Sequence, residues 1–128
     1  MAVQHNVTDL FGMEYDIFYL GTTTGKVLKI VIGRGVARHV ATLSLSSLTT
    51  PVKSLWLRQE RLANQKTTTS LFILSNSIVT KSPSTICGVA SNCSSCLEIG
   101  DPQCAWILHG AECVAIEENY LWVSFGTG

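Results

Sequence analysis

Cysteine is the residue type in this chain whose spacing could support chemistry. All five cysteines lie between positions 87 and 113 of the 128 residues, and only Cys93 and Cys96 form a close C-x-x-C pair. A structural zinc site usually takes four Cys or His ligands from two close pairs. Short cysteine-dense modules of oxidising compartments are instead held together by disulfides. We therefore favour disulfides and keep a small zinc-binding module as an alternative. The odd count leaves one sulfur without a partner in this chain.

Two other patterns could suggest enzymatic chemistry. The segment Gly21–Lys26 resembles a phosphate-binding loop, but it has three residues between its glycines and Val27 after the lysine, whereas that loop needs four and Ser or Thr. The three histidines accompany no G-x-S-x-G nucleophile motif. We therefore predict no catalytic residue, no cofactor, no metal site and no small-molecule substrate, which means that the protein is not an enzyme.

Two sequons could direct modification. Asn6-Val7-Thr8 and Asn92-Cys93-Ser94 both have the Asn-x-Ser/Thr pattern of N-glycosylation. Asn6 and Asn92 are therefore glycosylation candidates, compatible with a secreted protein.

The part of the chain that contains the cysteines differs in net charge from the part before it. Residues 1–81 contain nine basic and four acidic side chains, a net +5, whereas residues 82–128 contain five acidic and no basic side chains, a net −5. The Ser82-Pro83-Ser84 sequence is typical of a break between elements. We place a boundary there, between a β-rich part and a compact cysteine module.

Composition limits the possible classes of function. The net charge is zero, which argues against nucleic acid as a partner. Hydrophobic residues make up 46% of the chain, too many for a disordered tail. No apolar run is long enough to span a bilayer, and the first residues do not have the pattern of a signal peptide.

The sequence pattern of the first part of the chain predicts β-strands. Ile17–Leu20 and Lys26–Ile32 are rich in β-branched and aromatic residues and flank a glycine-containing turn, the pattern of a hairpin. Three further runs are strand candidates: His39–Leu45, Val52–Leu57 and Leu71–Leu74. Val52–Leu57 also fits helical spacing, but we favour a strand because its neighbours are strands. We expect Arg58–Thr69 to form a long surface loop.

The cysteine string resembles a known module. Cys87-x5-Cys93-x2-Cys96, followed by Asp101-Pro-Gln-Cys-Ala-Trp106 and Cys113-Val-Ala115, resembles the start of a plexin–semaphorin–integrin (PSI) module in its semaphorin version. Plexin-type receptors usually have Gly-Trp-Cys where this chain has Ala105-Trp106-Ile107. Semaphorin is therefore the favoured family, and a plexin-type receptor ectodomain is the alternative.

The strand region resembles the end of a sema β-propeller. Phe18–Thr22 with Gly25–Val31 is similar to a late hairpin of that domain, and Pro51–Leu55 with Leu71–Ser77 is similar to the strands that close it. The resemblance implies an all-β fold, with one to two blades in residues 1–81 and a PSI-like module in residues 82–116. Residues 117–128 do not look like a PSI continuation. We therefore expect a truncated chain with a tail of unclear structure.

The resemblance also implies roles for individual residues. It pairs Cys87 with Cys104 and Cys96 with Cys113, and it leaves Cys93 unpaired in this chain. Trp106 would be the apolar anchor that packs on the disulfides. The family consists of secreted or membrane-tethered guidance cues that act in axon guidance and cell migration. The implied partners are a plexin-type receptor and, in a homodimer, a second copy, and the implied location is extracellular.

Overall fold

A computed structural model of the chain describes residues 1–9, 11–44, 50–61, 67–76, 78–116 and 125–126. Within these residues the chain folds into two larger antiparallel sheets and a small cysteine module. The strands of the first sheet are β1 (Ala2–Thr8), β2 (Glu14–Gly21), β3 (Lys26–Gly33) and β4 (Val36–Ser44). Those of the second sheet are β5 (Val52–Arg61), β6 (Thr67–Ser75) and β7 (Ile78–Pro83).

The first sheet is a meander in the order β1-β2-β3-β4. The expected hairpin is present as β2 and β3, with Ile17 opposite Val31. Its turn closes because the Thr22 amide donates to the Lys26 carbonyl at 2.9 Å and the Lys26 amide donates to the Thr22 hydroxyl at 3.0 Å. Turn chemistry and β-branched composition together specify this unit locally.

The second sheet corrects one expectation. Residues Arg58–Thr69 do not form one long loop, because β5 continues to Arg61 and β6 begins at Thr67, with Arg61 opposite Thr67. Residues 62–66 lie outside the described part. Polar and threonine-rich segments extend as strands here because a neighbouring strand satisfies their backbone groups and threonine favours the pleated conformation. The run Val52–Leu57 is a strand, as favoured.

The core lies between the two sheets. The side chains packed together there are Ala2, Ile17, Tyr19, Val27, Val31, Leu55, Leu71 and Ile73. Successive residues of a strand point to opposite faces, so alternate positions of β2 and β3 supply the core. The sheets approach closely where the Val52 amide donates to the Thr22 carbonyl at 3.0 Å.

The cysteine module follows β7. It contains helix α1 (Cys93–Glu98) and a three-stranded sheet in the order β10-β8-β9, formed by Phe125–Gly126, Cys104–Ile107 and Glu112–Ala115. Of the expected tail of unclear structure, residues 117–124 and 127–128 lie outside the described part, and Phe125 pairs with Ile107 on the edge of β8. An open strand edge offers unpaired backbone groups that another strand can satisfy. Among the described residues, no helix is long and apolar enough to cross a bilayer.

Candidate functional site

Two interlaced disulfides organise the cysteine module. Cys87 is bonded to Cys104 and Cys96 to Cys113, each with 5.7 Å between Cα atoms, and these are the pairs that the resemblance implied. The sulfur atoms of Cys87, Cys104 and Cys113 lie within 4.8 Å of one another, so the two bridges are adjacent. The bridges tie α1 to β9 and the segment before α1 to β8. Four of the five sulfurs are thus bonded in pairs and cannot act as thiolate ligands in this oxidised form.

Trp106 is buried against these bridges. It is 8% exposed and belongs to the apolar cluster that contains Cys87, Cys96 and Cys113. Ile99 packs against the same cluster. An aromatic side chain of this size supplies much of the apolar contact area of a cluster whose other buried members are three cysteines and Ala115.

A buried ion pair joins the first sheet to the cysteine module. The Lys29 ammonium on β3 lies 2.6 Å from the Asp101 carboxylate in the loop before β8. The same ammonium donates to the Gln103 side-chain oxygen at 3.1 Å, to the Ser84 carbonyl at 3.1 Å and to the Thr85 hydroxyl at 3.3 Å. All five residues are buried. We call this set, Lys29 with Ser84, Thr85, Asp101 and Gln103, the junction cluster.

The chain between the two parts is held by the same cluster. The Tyr19 hydroxyl donates to the Ser84 carbonyl at 3.1 Å, and the Lys29 ammonium lies 5.8 Å from the centre of the Tyr19 ring. The Thr85 hydroxyl donates to the Gln103 oxygen at 2.7 Å. The linker, the sheet and the module therefore share one hydrogen-bonded network.

Hydrogen bonds within the turn before β8 orient the Asp101 carboxylate. One of its oxygens accepts from the Gln103 amide at 2.9 Å, and its backbone carbonyl accepts from the Cys104 amide at 3.0 Å. The other oxygen is then free to accept from Lys29. Because Cys104 is bonded to Cys87, the disulfide fixes the end of the turn that presents Asp101.

The electrostatics of the junction cluster favour a fixed arrangement. Removing one partner of a buried ion pair leaves an uncompensated charge in a poorly solvated position, which is strongly unfavourable. The pair also places a charge of the basic part against a charge of the acidic part. The junction cluster can therefore fix how the module sits on the sheet.

Sequence reasoning missed the junction cluster. The available signal was Lys29 itself, the one charged residue within the apolar run Val27–Ile32. A lysine at a core-facing position of a strand needs a buried acceptor. The sequence pattern does not identify that acceptor, because Asp101 lies 72 residues later.

The remaining candidate residues lie apart from the junction cluster. Asn6 is exposed, at a bulge of β1 with φ of 54°. Asn92 is exposed and caps α1, its side-chain oxygen accepting from the Ser95 amide at 2.8 Å. Cys93 is unbonded and half-buried at the start of α1.

Two family models match separate parts of the chain. Residues 1–59 match the model described as Sema domain, and residues 86–126 match the model described as Plexin repeat. The second match extends the repeat through the last described strand.

Curated relatives and solved structures agree with these matches. Mouse semaphorin-4F is 34% identical over 114 residues, which are 89% of this chain and 14% of that protein. Human semaphorin-4D is 28% identical over 110 residues, 86% of this chain and 12% of that protein. This chain thus spans about one seventh of the length of such relatives.

The solved structures bear on the fold. The structure titled Drosophila Plexin A in complex with Semaphorin 1b matches with a TM-score of 0.68 at 25% identity, covering 100% of this chain and 25% of that chain. Drosophila Semaphorin 1b, extracellular domains 1-2, matches with a TM-score of 0.65 at 27% identity, covering 91% and 24%. The expected all-β fold, with sema-type sheets followed by a disulfide-bonded PSI module, is confirmed.

Proposed function

This chain belongs to the semaphorin–plexin family, which combines sema and PSI domains, and we propose that it is a segment of an extracellular guidance cue whose full-length form binds plexin-type receptors. The observation that carries the proposal is the order of two matched parts, a sema segment at residues 1–59 and a plexin repeat at residues 86–126. Family membership supports semaphorin–plexin signalling as the setting, and axon guidance and cell migration are part of the proposal.

Sequence similarity favours the ligand over the receptor. The relative that is 34% identical over 89% of the chain is a semaphorin. Ala105-Trp106-Ile107 also departs from the Gly-Trp-Cys pattern of plexin-type modules. A plexin-type receptor ectodomain remains the second candidate, because the family model of residues 86–126 is named after plexins and one matching structure contains Plexin A.

The role that we propose for this segment is mechanical. Two disulfides make the PSI module rigid, and the junction cluster fixes that module on the strand that contains Lys29. A sema domain presents its binding surfaces from a ring of sheets, so a module that braces the ring supports recognition without contacting the receptor. The protein would act by contact in the extracellular space, without catalysis or a cofactor, and the full-length form would be able to form homodimers.

A two-arm binding experiment tests the proposal. The full-length protein that contains this segment is passed over an immobilised plexin-type ectodomain and, separately, over an immobilised semaphorin ectodomain. A guidance cue binds the plexin surface, whereas a receptor binds the semaphorin surface. Binding to the semaphorin surface alone would replace the proposal with the receptor alternative, and binding to neither would overturn both.

A further inference from the structure

A two-lobed groove runs along the junction between the first sheet and the cysteine module. One lobe has a volume of about 410 Å³ and the adjoining lobe about 590 Å³. Asp9, Phe11, Tyr15, Arg38 and Gly100 line both lobes. Each volume lies within the usual range of binding pockets. Asp101 of the junction cluster also lines the first lobe, and the inference does not rest on the proposed function.

Arg38 gives the groove an available positive charge. Its side chain lies across Gly100, where an added methyl group would clash with the guanidinium, and Gly100 has a φ of 74°. Among the described residues, no hydrogen bond or ion pair joins the Arg38 guanidinium to another group. An exposed guanidinium placed against backbone in this way is available for a two-pronged contact with a carboxylate.

The acidic groups near the groove already have partners. The Asp9 carboxylate accepts from the backbone amides of Phe11 and Met13 at 2.8 and 3.0 Å and from the Tyr15 hydroxyl at 3.2 Å. The Asp101 carboxylate is buried and paired with Lys29. Hydrogen bonds from neutral donors leave the charge of Asp9 in place, but Arg34 and Arg38 both line the second lobe, so two guanidinium groups outweigh this one carboxylate and the groove favours an anionic group.

Apolar side chains flank the same groove. Phe11 is 75% exposed and Leu97 is 46% exposed, one contributed by the loop after β1 and the other by α1. Exposed aromatic and aliphatic side chains beside an arginine have the composition of a protein-binding surface.

We propose that this groove binds an extended acidic peptide segment of a partner protein. A carboxylate of that segment pairs with Arg38, and an adjacent apolar side chain covers Phe11 and Leu97. The two adjoining lobes can take successive side chains of a single extended chain, and the charge selects an acidic one.

Fluorescence anisotropy of the full 128-residue chain tests the proposal. The probe is a fluorescein-labelled peptide Ser-Glu-Glu-Leu-Phe-Ser, and the matched basic peptide is Ser-Lys-Lys-Leu-Phe-Ser. We expect saturable, salt-sensitive binding of the acidic peptide alone. Arg38→Gln should weaken it about tenfold, the loss of one charge-assisted contact. Arg58→Gln, which removes an exposed arginine of β5 outside the groove, should leave it unchanged.

A second pair of variants separates the apolar contribution. Phe11→Ser should weaken binding, whereas Val89→Ser, at a position that is 79% exposed and does not line the groove, should not. Equal effects of Arg38→Gln and Arg58→Gln, equal binding of the two peptides, or no saturation by about 1 mM would overturn the proposal. An Arg38-dependent dimer in sedimentation velocity would show that a second copy of the chain occupies the groove instead.

Discussion

The Lys29 ammonium and the Asp101 carboxylate are 2.6 Å apart, and each side chain is only 3% exposed. Their residues are separated by 72 positions and belong to the two parts that carry opposite net charge. The orientation of the PSI module on the sema strand therefore depends on this ion pair as well as on apolar packing. Removing the ion pair should therefore destabilise both parts of the chain.

Lys29→Met tests the contribution of the ion pair to stability. The substitution leaves Asp101 buried without a cation, so we expect a loss of about 3–5 kcal/mol in the free energy of unfolding. Urea denaturation measures it. Lys53→Met, at an exposed position of β5, is the matched control and should change stability by less than about 0.5 kcal/mol. Equal losses in the two variants would contradict a role for the pair.

The double variant Lys29→Met/Asp101→Leu separates the charge from the packing. Replacing both members of a buried pair by apolar residues is often neutral, so most of the loss should be recovered. No recovery would mean that the hydrogen bonds of these two side chains to neutral groups, from Lys29 to the Ser84 carbonyl and the Gln103 oxygen and from the Gln103 amide to Asp101, contribute most of the stabilisation.

The fold could be predicted from the sequence where an element is determined by its own residues and their neighbours along the chain. The β2–β3 hairpin follows from β-branched runs on either side of a threonine- and glycine-rich turn. Arg58–Arg61 and Thr67–Thr69 were missed as strands because their conformation depends on pairing across the sheet rather than on an apolar pattern. The disulfide pairs came from family resemblance, since spacing alone leaves several pairings open. The junction cluster was beyond prediction because its members meet only after the PSI module has docked.

The disulfide between Cys96 and Cys113 should contribute more to stability than the free thiol. Cys96→Ser/Cys113→Ser removes a bridge between residues 17 positions apart, and the chain-entropy model gives a cost of about 3 kcal/mol. Cys93→Ser, which breaks no bond, is the control and should cost less than about 1 kcal/mol. Thermal unfolding under non-reducing conditions measures both, and a comparable cost for Cys93→Ser would argue that this thiol has a structural partner.

Trp106→Ala should destabilise the PSI module through the loss of a buried aromatic side chain. We expect about 3–5 kcal/mol, since the truncation leaves a cavity against the bridges. Trp56→Ala is the comparison, because Trp56 is 40% exposed and stacks on Phe72 at 5.6 Å between ring centres. It should cost about 1 kcal/mol. If both variants unfold at the same denaturant concentration, Trp106 is not the anchor of the module.

Gly21→Ala tests the close approach of the two sheets. A Cβ atom at this position would lie 2.7 Å from the Val52 Cβ, so β5 would have to shift. Overpacking of this kind costs about 1–3 kcal/mol. Gly88→Ala places its methyl group in open space and should be neutral. Urea denaturation of the two variants side by side provides the measurement, and equal midpoints would show that the sheets separate without strain.

Glycosylation of the two sequons can be tested separately in the secreted protein. We predict N-linked glycans on Asn6 and Asn92, because both side chains are exposed. Asn6→Gln removes the first acceptor. Ser94→Ala removes the second sequon while it keeps the Asn92 side chain that caps α1 through the Ser95 amide. Each variant, secreted from animal cells, should lose the mass of one glycan, and peptide-N-glycosidase treatment should bring each form to the mass of its own polypeptide, with each released asparagine converted to aspartate. An unchanged mass in either variant would remove that asparagine from the candidates.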